Sequence, residues 1–144
     1  MSIVRNHSEF CAAREWLYAE TLRLKIERTQ LKEQGLSADE IKGIQGPSLL
    51  EFAETANEVR DYEDAVLGNF TSVWNLDGVG RLMVRLRIAK GISVAELAER
   101  LGGVTAEELM REECFAYRNV TIKRAVEILD ALDVQVVSNL DVLD

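Results

Sequence analysis

Apolar residues in this chain recur at three-, four- and seven-residue steps almost from end to end, the spacing that lines them up on one stripe of an α-helix. Phe10, Ala13, Leu17, Leu24 and Leu31 form one such stripe, with Arg14, Glu20, Arg23, Glu27 and Lys32 between them. This predicts an amphipathic helix from Glu9 to Glu33, roughly 37 Å long at about 1.5 Å per residue. Gly35 ends it. Ser37-Ala38-Asp39-Glu40 has the form of a capping box and opens a short helical turn to Ile44. Gly46-Pro47-Ser48 holds the only proline and predicts the sharpest turn of the chain. A second long helix comes next, with Leu49, Phe52, Ala56, Val59, Tyr62 or Glu63, and Val66 on one stripe, ending at Gly68. The two are expected to fold back as an antiparallel helical hairpin spanning residues 1–75. Trp16, Leu22 and Ile26 fall outside its stripe, spare apolar surface that suits dimerisation or a partner. Asn69 to Asp77 reads as a connection, with Phe70 and Trp74 as anchors onto the next domain.

From Gly78 the texture changes to short helices between tight turns. Gly80 to Ala89 reads as a helix with Leu82, Leu86 and Ala89 inward and Arg81, Arg85, Arg87 and Lys90 on its flanks. Ser93-Val94-Ala95-Glu96 and Thr105-Ala106-Glu107-Glu108 are two further capping boxes, each opening a helix, with Gly102-Gly103-Val104 turning the chain between them. Thr121 caps a last helix, Ile122 to Leu132, with Ala125, Val126, Ile128, Leu129 and Leu132 as its core face. Val134-Gln135-Val136 alternates like a short strand. The expected fold class is therefore all-α, with a hairpin of long helices followed by four or five short ones over residues 76–144 and a short C-terminal strand.

Composition narrows the functions open to such a fold. Apolar residues make up 47% and charged residues 29% of the chain, which suits a packed globular protein. One proline and nine glycines argue against a turn-rich β-sandwich or barrel. No apolar run approaches the roughly 18 residues of a transmembrane helix, and the opening residues do not form a signal peptide, so a cytoplasmic location without membrane contact is expected. In a reducing compartment Cys11 and Cys114 are expected to be small buried hydrophobes. His7 is the only histidine, so neither a Ser-His-Asp nor a Cys-His set can form around a second one, and no Gly-rich phosphate loop or metal-ligand spacing occurs. No catalytic residue, metal or cofactor is expected, and the chain is not expected to be an enzyme. The net charge of −8 is poor for non-specific nucleic-acid binding.

Short helices whose middle pair is joined by a tight glycine-containing turn have the spacing of a helix-turn-helix. Ala98 where the helices cross, Gly102 in the turn, and Val104 and Leu109 pinning the second helix supply its parts. The segments Leu86-Arg87-Ile88-Ala89-Lys90-Gly91-Ile92-Ser93, Glu96-Leu97-Ala98-Glu99-Arg100-Leu101-Gly102, Arg111-Glu112-Glu113, Tyr117-Arg118-Asn119-Val120-Thr121 and Ile128-Leu129-Asp130-Ala131-Leu132-Asp133-Val134, in that order, resemble the phage-repressor (Cro/C1, or XRE) helix-turn-helix family over residues 78–137. The upstream half, through Glu58-Val59-Arg60-Asp61-Tyr62-Glu63, is loosely similar to the helical leader of Hig-type antitoxins.

This resemblance implies a repressor-like, sequence-specific transcriptional regulator that binds a double-stranded DNA operator as a homodimer. Carried over position by position, Thr105, Ala106, Glu107, Met110 and Arg111 face the major groove. Arg111 is the best base reader, because a guanidinium pairs bidentately with guanine. Arg81, Arg85, Lys90, Arg118, Lys123 and Arg124 are the implied phosphate contacts, and Thr121 caps a helix whose N–H groups can meet a phosphate. The family likeness also implies a partly buried ion pair between Arg87 and Glu113, and Tyr117 is expected to pack at the base of the domain. Two features depart from the family. The turn carries an extra glycine, and the implied recognition helix holds four glutamates, which repel phosphates. They favour an alternative, an antitoxin or other interaction module that keeps the fold and takes a basic protein such as a toxin as its partner. Residues 1–75 carry 8 basic and 13 acidic side chains, net −5, and the remainder 9 and 12, net −3.

Overall fold

The computed structural model describes residues 3–70, 73, 76 and 78–143. Among them the chain is all-helical: α1 (His7–Glu33), α2 (Ala38–Val66), α3 (Val79–Ala89), α4 (Val94–Leu101), α5 (Ala106–Cys114) and α6 (Ile122–Ala131). None of these helices is long and apolar enough to cross a membrane. The chain divides into two compact units, Met1–Asn69 and Phe70–Asp144.

In the first unit α1 and α2 pack against each other in antiparallel order. Phe10 stacks on Tyr62 with ring centroids 5.0 Å apart, Trp16 lies 6.5 Å from Phe52, and Arg23 Nη2 donates to Ser48 Oγ at 3.1 Å. Buried and half-buried positions on α1 include Phe10, Ala13, Leu17, Glu20, Leu24, Glu27 and Leu31; on α2 they include Ile41, Gln45, Ser48, Phe52, Thr55, Val59 and Tyr62. Each set advances in alternating steps of three and four, the 3.5-residue period of a coiled-coil seam. Towards the connection between the helices the seam is polar. Gln45 is buried because its Nε2 donates both to the Leu24 carbonyl and to Glu27 Oε2, each at 3.0 Å. Such a polar register point trades some stability for a fixed alignment of the helices.

The turn expected at Gly46-Pro47-Ser48 does not form, and α2 runs through Pro47 without a break. Proline removes one helical donor and crowds the residue before it, chiefly through that residue's Cβ. Here that residue is Gly46, which has no Cβ, and Pro47 faces solvent. The seam also shifts from the expected stripe. Leu49 and Val66 are exposed at 43% and 55%, while Ile41, Gln45, Val59 and Ala65 are buried. Trp16, expected outside the stripe, is half-buried at the seam, whereas Leu22 and Ile26 are exposed. Cys11 and Cys114, expected buried, are both exposed and in no disulfide. Cys11 comes one position after seam residue Phe10, about 100° around the helix, which carries it off the packed face.

The second unit packs α4 against α5 and α6, and α3 against α6. Its core holds Met83, Val84, Ile92, Leu97, Ala98, Leu109, Tyr117, Ile128 and Leu132. The inward face of α3 is Met83, Val84 and Arg87, rotated from the expected Leu82, Leu86 and Ala89, which are half-buried. Gly80 lies on the same inward side. A Cβ there would collide with the carbonyl of Ala116, so α3 presents bare backbone to the loop after α5. Ile128 on α6 and Leu132 just after it are fully buried, but Val126, expected in the core, is 50% exposed. Phe70 is 40% exposed and is no buried anchor; Trp74 lies outside the described residues. The expected strand at Val134-Gln135-Val136 is absent, and residues 134–143 have no regular structure. No second strand exists among the described residues to supply the ladder partner a strand requires.

Candidate nucleic-acid interface

The centre of the second unit is α4, a four-residue connection, and α5. Ser93 caps α4 by accepting from the Glu96 N–H at 3.0 Å, and Leu97 and Ala98 face inward. Gly102 ends α4 at φ +76°, a left-handed conformation that L side chains rarely adopt, and donates to the Ala98 carbonyl. The extra glycine, Gly103, is exposed, with open space where a Cβ would stand. Thr105 then caps α5 with a full reciprocal box. Its Oγ1 accepts from Glu108 N–H at 3.2 Å, and its own N–H donates to Glu108 Oε2 at 3.1 Å.

α5 buries Leu109 and Glu113, four residues apart, at 0% exposure. Burying a carboxylate is costly unless it is paired and hydrogen-bonded. Arg87 on α3 provides the pair: Nε donates to Glu113 Oε1 at 2.6 Å and Nη2 to Oε2 at 3.0 Å. The remaining guanidinium nitrogen, Nη1, donates to the Ile92 carbonyl at 2.9 Å. Tyr117 Oη donates to Glu113 Oε1 at 3.2 Å. Burial pushes the Tyr117 phenol well above its ordinary value and the Glu113 carboxylate raises it further, so the hydroxyl keeps its proton and remains a donor. Glu113 therefore ties α5 to α3 and to the loop after α5 at once. That loop holds Ala116 and Tyr117 at positive φ, 49° and 55°, a conformation non-glycine residues adopt only when their surroundings enforce it. The Ala116 carbonyl against Gly80 and the anchored Tyr117 side chain provide the enforcement.

With Leu109 and Glu113 inward, the opposite side of α5 meets solvent. Glu107, Met110 and Arg111 are exposed, Ala106 is half-buried, and the exposed Thr105 has its hydroxyl occupied by the helix cap. Of the four glutamates, Glu113 is buried in its ion pair and Glu108 closes the capping box. Glu112 meets Arg124 of α6 at 3.3 Å, and Arg124 also lies 3.8 Å from Glu127. Glu107 is the one glutamate of α5 that extends into solvent without such a bond to the described residues. Among those same residues Arg111 pairs with no carboxylate.

The residues expected to meet phosphates divide into two groups. Arg111 and Arg124 border a shallow depression with Gly103, Val104, Glu108 and Glu112. A second depression shares Glu112 and Arg124 and adds Asn119, Val120, Thr121, Lys123 and Glu127. Thr121 caps α6, its Oγ1 accepting from the Arg124 N–H at 3.1 Å. Lys123 and Arg118 are exposed; Arg124 is neutralised by its two carboxylates. Arg81, Arg85 and Lys90 lie on and just after α3 and border neither depression. Arg81 and Arg85 are half-buried and already engaged within the fold. Lys90 Nζ donates to the Asp133 carbonyl at 3.1 Å, joining the ends of α3 and α6.

Sequence reasoning missed the Glu112–Arg124 bridge and the Tyr117–Glu113 hydrogen bond. The first joins residues twelve apart across a loop, where no local spacing rule reaches. The second depends on backbone angles at Ala116 and Tyr117 that neither residue type announces. Among the described residues no group of three or more His, Cys, Asp or Glu side chains is placed to hold a metal ion. No family model, curated protein or solved structure matches the chain.

Proposed function

We propose that the chain is a sequence-specific, DNA-binding transcriptional regulator of the phage-repressor type that acts as a homodimer. In this reading α4 and α5 are the two helices of a helix-turn-helix, and α5 lies in the major groove with Thr105, Ala106, Glu107, Met110 and Arg111 toward the bases. The antiparallel pair α1 and α2 forms the helical hairpin, which dimerises or receives a partner. The observation that carries the reading is the division of labour on α5. The glutamates that argued against DNA are largely committed to structure, Glu113 to Arg87, Glu112 to Arg124 and Glu108 to the cap. Arg111 is exposed and meets no carboxylate among the described residues, the state a base-reading guanidinium needs before DNA arrives.

A second reading has its own support. The neutralisation of Arg124, the exposed Glu107 and the net −3 of residues 76–144 leave a surface suited to a basic protein partner such as a toxin. Selection from a random duplex pool separates the two. A regulator enriches one motif with two related half-sites whose centres lie about 34 Å apart. An interaction module enriches none.

A further inference from the structure

We infer that the hairpin of α1 and α2 carries a second, sequence-independent contact for duplex DNA, a basic broad face that holds the sugar-phosphate backbone. The starting point is the seam. Antiparallel helices are related by a two-fold axis perpendicular to their common plane. The residue after each seam position, about 100° around its helix, therefore points to the same broad face on both. On that face α1 places Arg14, Lys25, Arg28 and Lys32, and α2 places Lys42 and Arg60. The one acidic residue that follows a seam position is Glu63, near the end of α2. The residue before each seam position lies on the opposite face, which holds Glu9, Glu40, Glu51, Glu54, Glu58 and Asp61, with Arg23 as its one cation. A half-chain with 8 basic and 13 acidic side chains thus sorts them by side.

Ion pairing follows the same division. Arg5 meets Glu9 at 2.7 Å, and Arg23 donates to Glu20 at 2.9 Å and lies 3.5 Å from Glu27. The six cations of the basic face are all exposed, and among the described residues none meets a carboxylate. Arg14 lies over the Phe10 ring, 5.5 Å from its centroid, a contact that leaves its charge in place. Unneutralised cations on one side, with the acids turned away, suit an anionic ligand. Their spacing suits two phosphate strands. Lys25, Arg28 and Lys32 lie beside Lys42 towards the connection between the helices, where Leu24 meets Gln45; Arg14 and Arg60 lie towards the other end, where Phe10 stacks on Tyr62. Arg14 and Lys25 are separated by roughly 16 Å at about 1.5 Å per residue, and the face between them is uncharged. That gap is of the order of a B-DNA major groove, about 12 Å wide, so each cluster reaches one strand. Other occupants fit less well. Lysine, half of the six, is depleted from protein interfaces. A membrane surface takes up a wide apolar face, and Tyr18 and Leu49 are the only large apolar side chains here. A second copy meeting this face by a two-fold axis sets cation against cation.

This contact is separate from the base-reading role proposed for α5 and does not depend on it. Its test is fluorescence anisotropy of the full chain with scrambled duplex DNA over a salt series. Lys25→Gln, Arg28→Gln and Lys32→Gln together weaken that binding by at least about tenfold and flatten the slope of log affinity against log salt by roughly 0.9 per lost phosphate contact. Helical circular dichroism is unchanged, since all three side chains are exposed. Glu51→Gln with Glu54→Gln, on the opposite face, leaves the slope as in the parent. A triple variant with the parent's affinity and slope overturns the basic face, as does a parent that binds no scrambled duplex at low salt. If the triple variant keeps its DNA binding but loses binding to phosphatidylserine vesicles, the face belongs to a membrane and the inference fails. A chain that shows the slope change but prefers no DNA motif loses the regulator reading and keeps the basic face. One that prefers a motif without the slope change loses the basic face alone.

Discussion

Arg87 and Glu113 stand 26 residues apart in sequence and meet bidentately in the core, with Nε to Oε1 at 2.6 Å and Nη2 to Oε2 at 3.0 Å. The pair fixes the azimuth of α5. With Glu113 turned inward, Arg111 two residues earlier faces outward, and the same contact that holds α3 to α5 decides which side chains of α5 meet solvent.

Removing one member of a buried pair strands the other charge. Arg87→Met is expected to lower unfolding stability by about 3–5 kcal/mol, measured by urea denaturation. The double variant Arg87→Met with Glu113→Leu recovers most of that loss, because it removes both buried charges together. Equal destabilisation by the single and double variants would show that packing volume, and not charge, dominates the site.

Tyr117 gives the core a pH response. Its phenol is raised above the ordinary value, so the folded chain holds this proton more tightly than the unfolded chain does. That contribution is complete below the unfolded phenol value, about pH 10, and is lost as pH rises beyond it. Thermal melts of the wild type and Tyr117→Phe from pH 7 to 11 read the difference. The wild-type advantage is expected to shrink above about pH 10; an advantage constant across the range contradicts a hydrogen bond from the phenol to Glu113.

Gly80 has no room for a methyl group against the Ala116 carbonyl, and the obstacle is backbone. Gly80→Ala is expected to cost about 1–3 kcal/mol as an overpacked contact, whereas Gly103→Ala, with open space around it, stays within about 0.5 kcal/mol. Chemical denaturation of the two variants in parallel checks the contrast.

Pro47 sits inside α2 with no N–H to give the Gly43 carbonyl. Pro47→Ala restores that donor and is expected to stabilise the first unit by about 1–2 kcal/mol, less than the full helix-interior penalty because proline also restricts the unfolded chain. A melt at or below the wild-type temperature would indicate that α2 needs a bend there.

Legibility in the sequence depended on whether the cause was local. The caps at Ser37, Ser93, Thr105 and Thr121 each accept from the N–H three residues on. Those pairings are fixed within one turn, so residue type and spacing announce them. The continuity of α2 through Pro47 was hidden, because a Gly-Pro-Ser string reads as a turn until the missing Cβ of Gly46 is weighed. The close approach of α3 to the loop after α5 was hidden too, since it brings Gly80 against Ala116, 36 positions away. The long-range Arg87–Glu113 pair was reached only through family resemblance; spacing alone offers no route to it. Glu112 looked like an obstacle to DNA because its partner Arg124 lies on another helix. Val134-Gln135-Val136 reads as a strand but has nothing among the described residues of its own chain to pair with.

Whether the chain reads DNA is decided most directly by fluorescence anisotropy of the full protein with duplex DNA from upstream of its own gene, against scrambled duplex, across a salt series. The expected result is a specific complex about a thousandfold tighter than the scrambled one, weakening with salt, its preference lost in Arg111→Ala with the fold intact. Equal affinity for both duplexes at every salt concentration would contradict a DNA-binding regulator, and α4 and α5 would then serve as a scaffold for a protein partner.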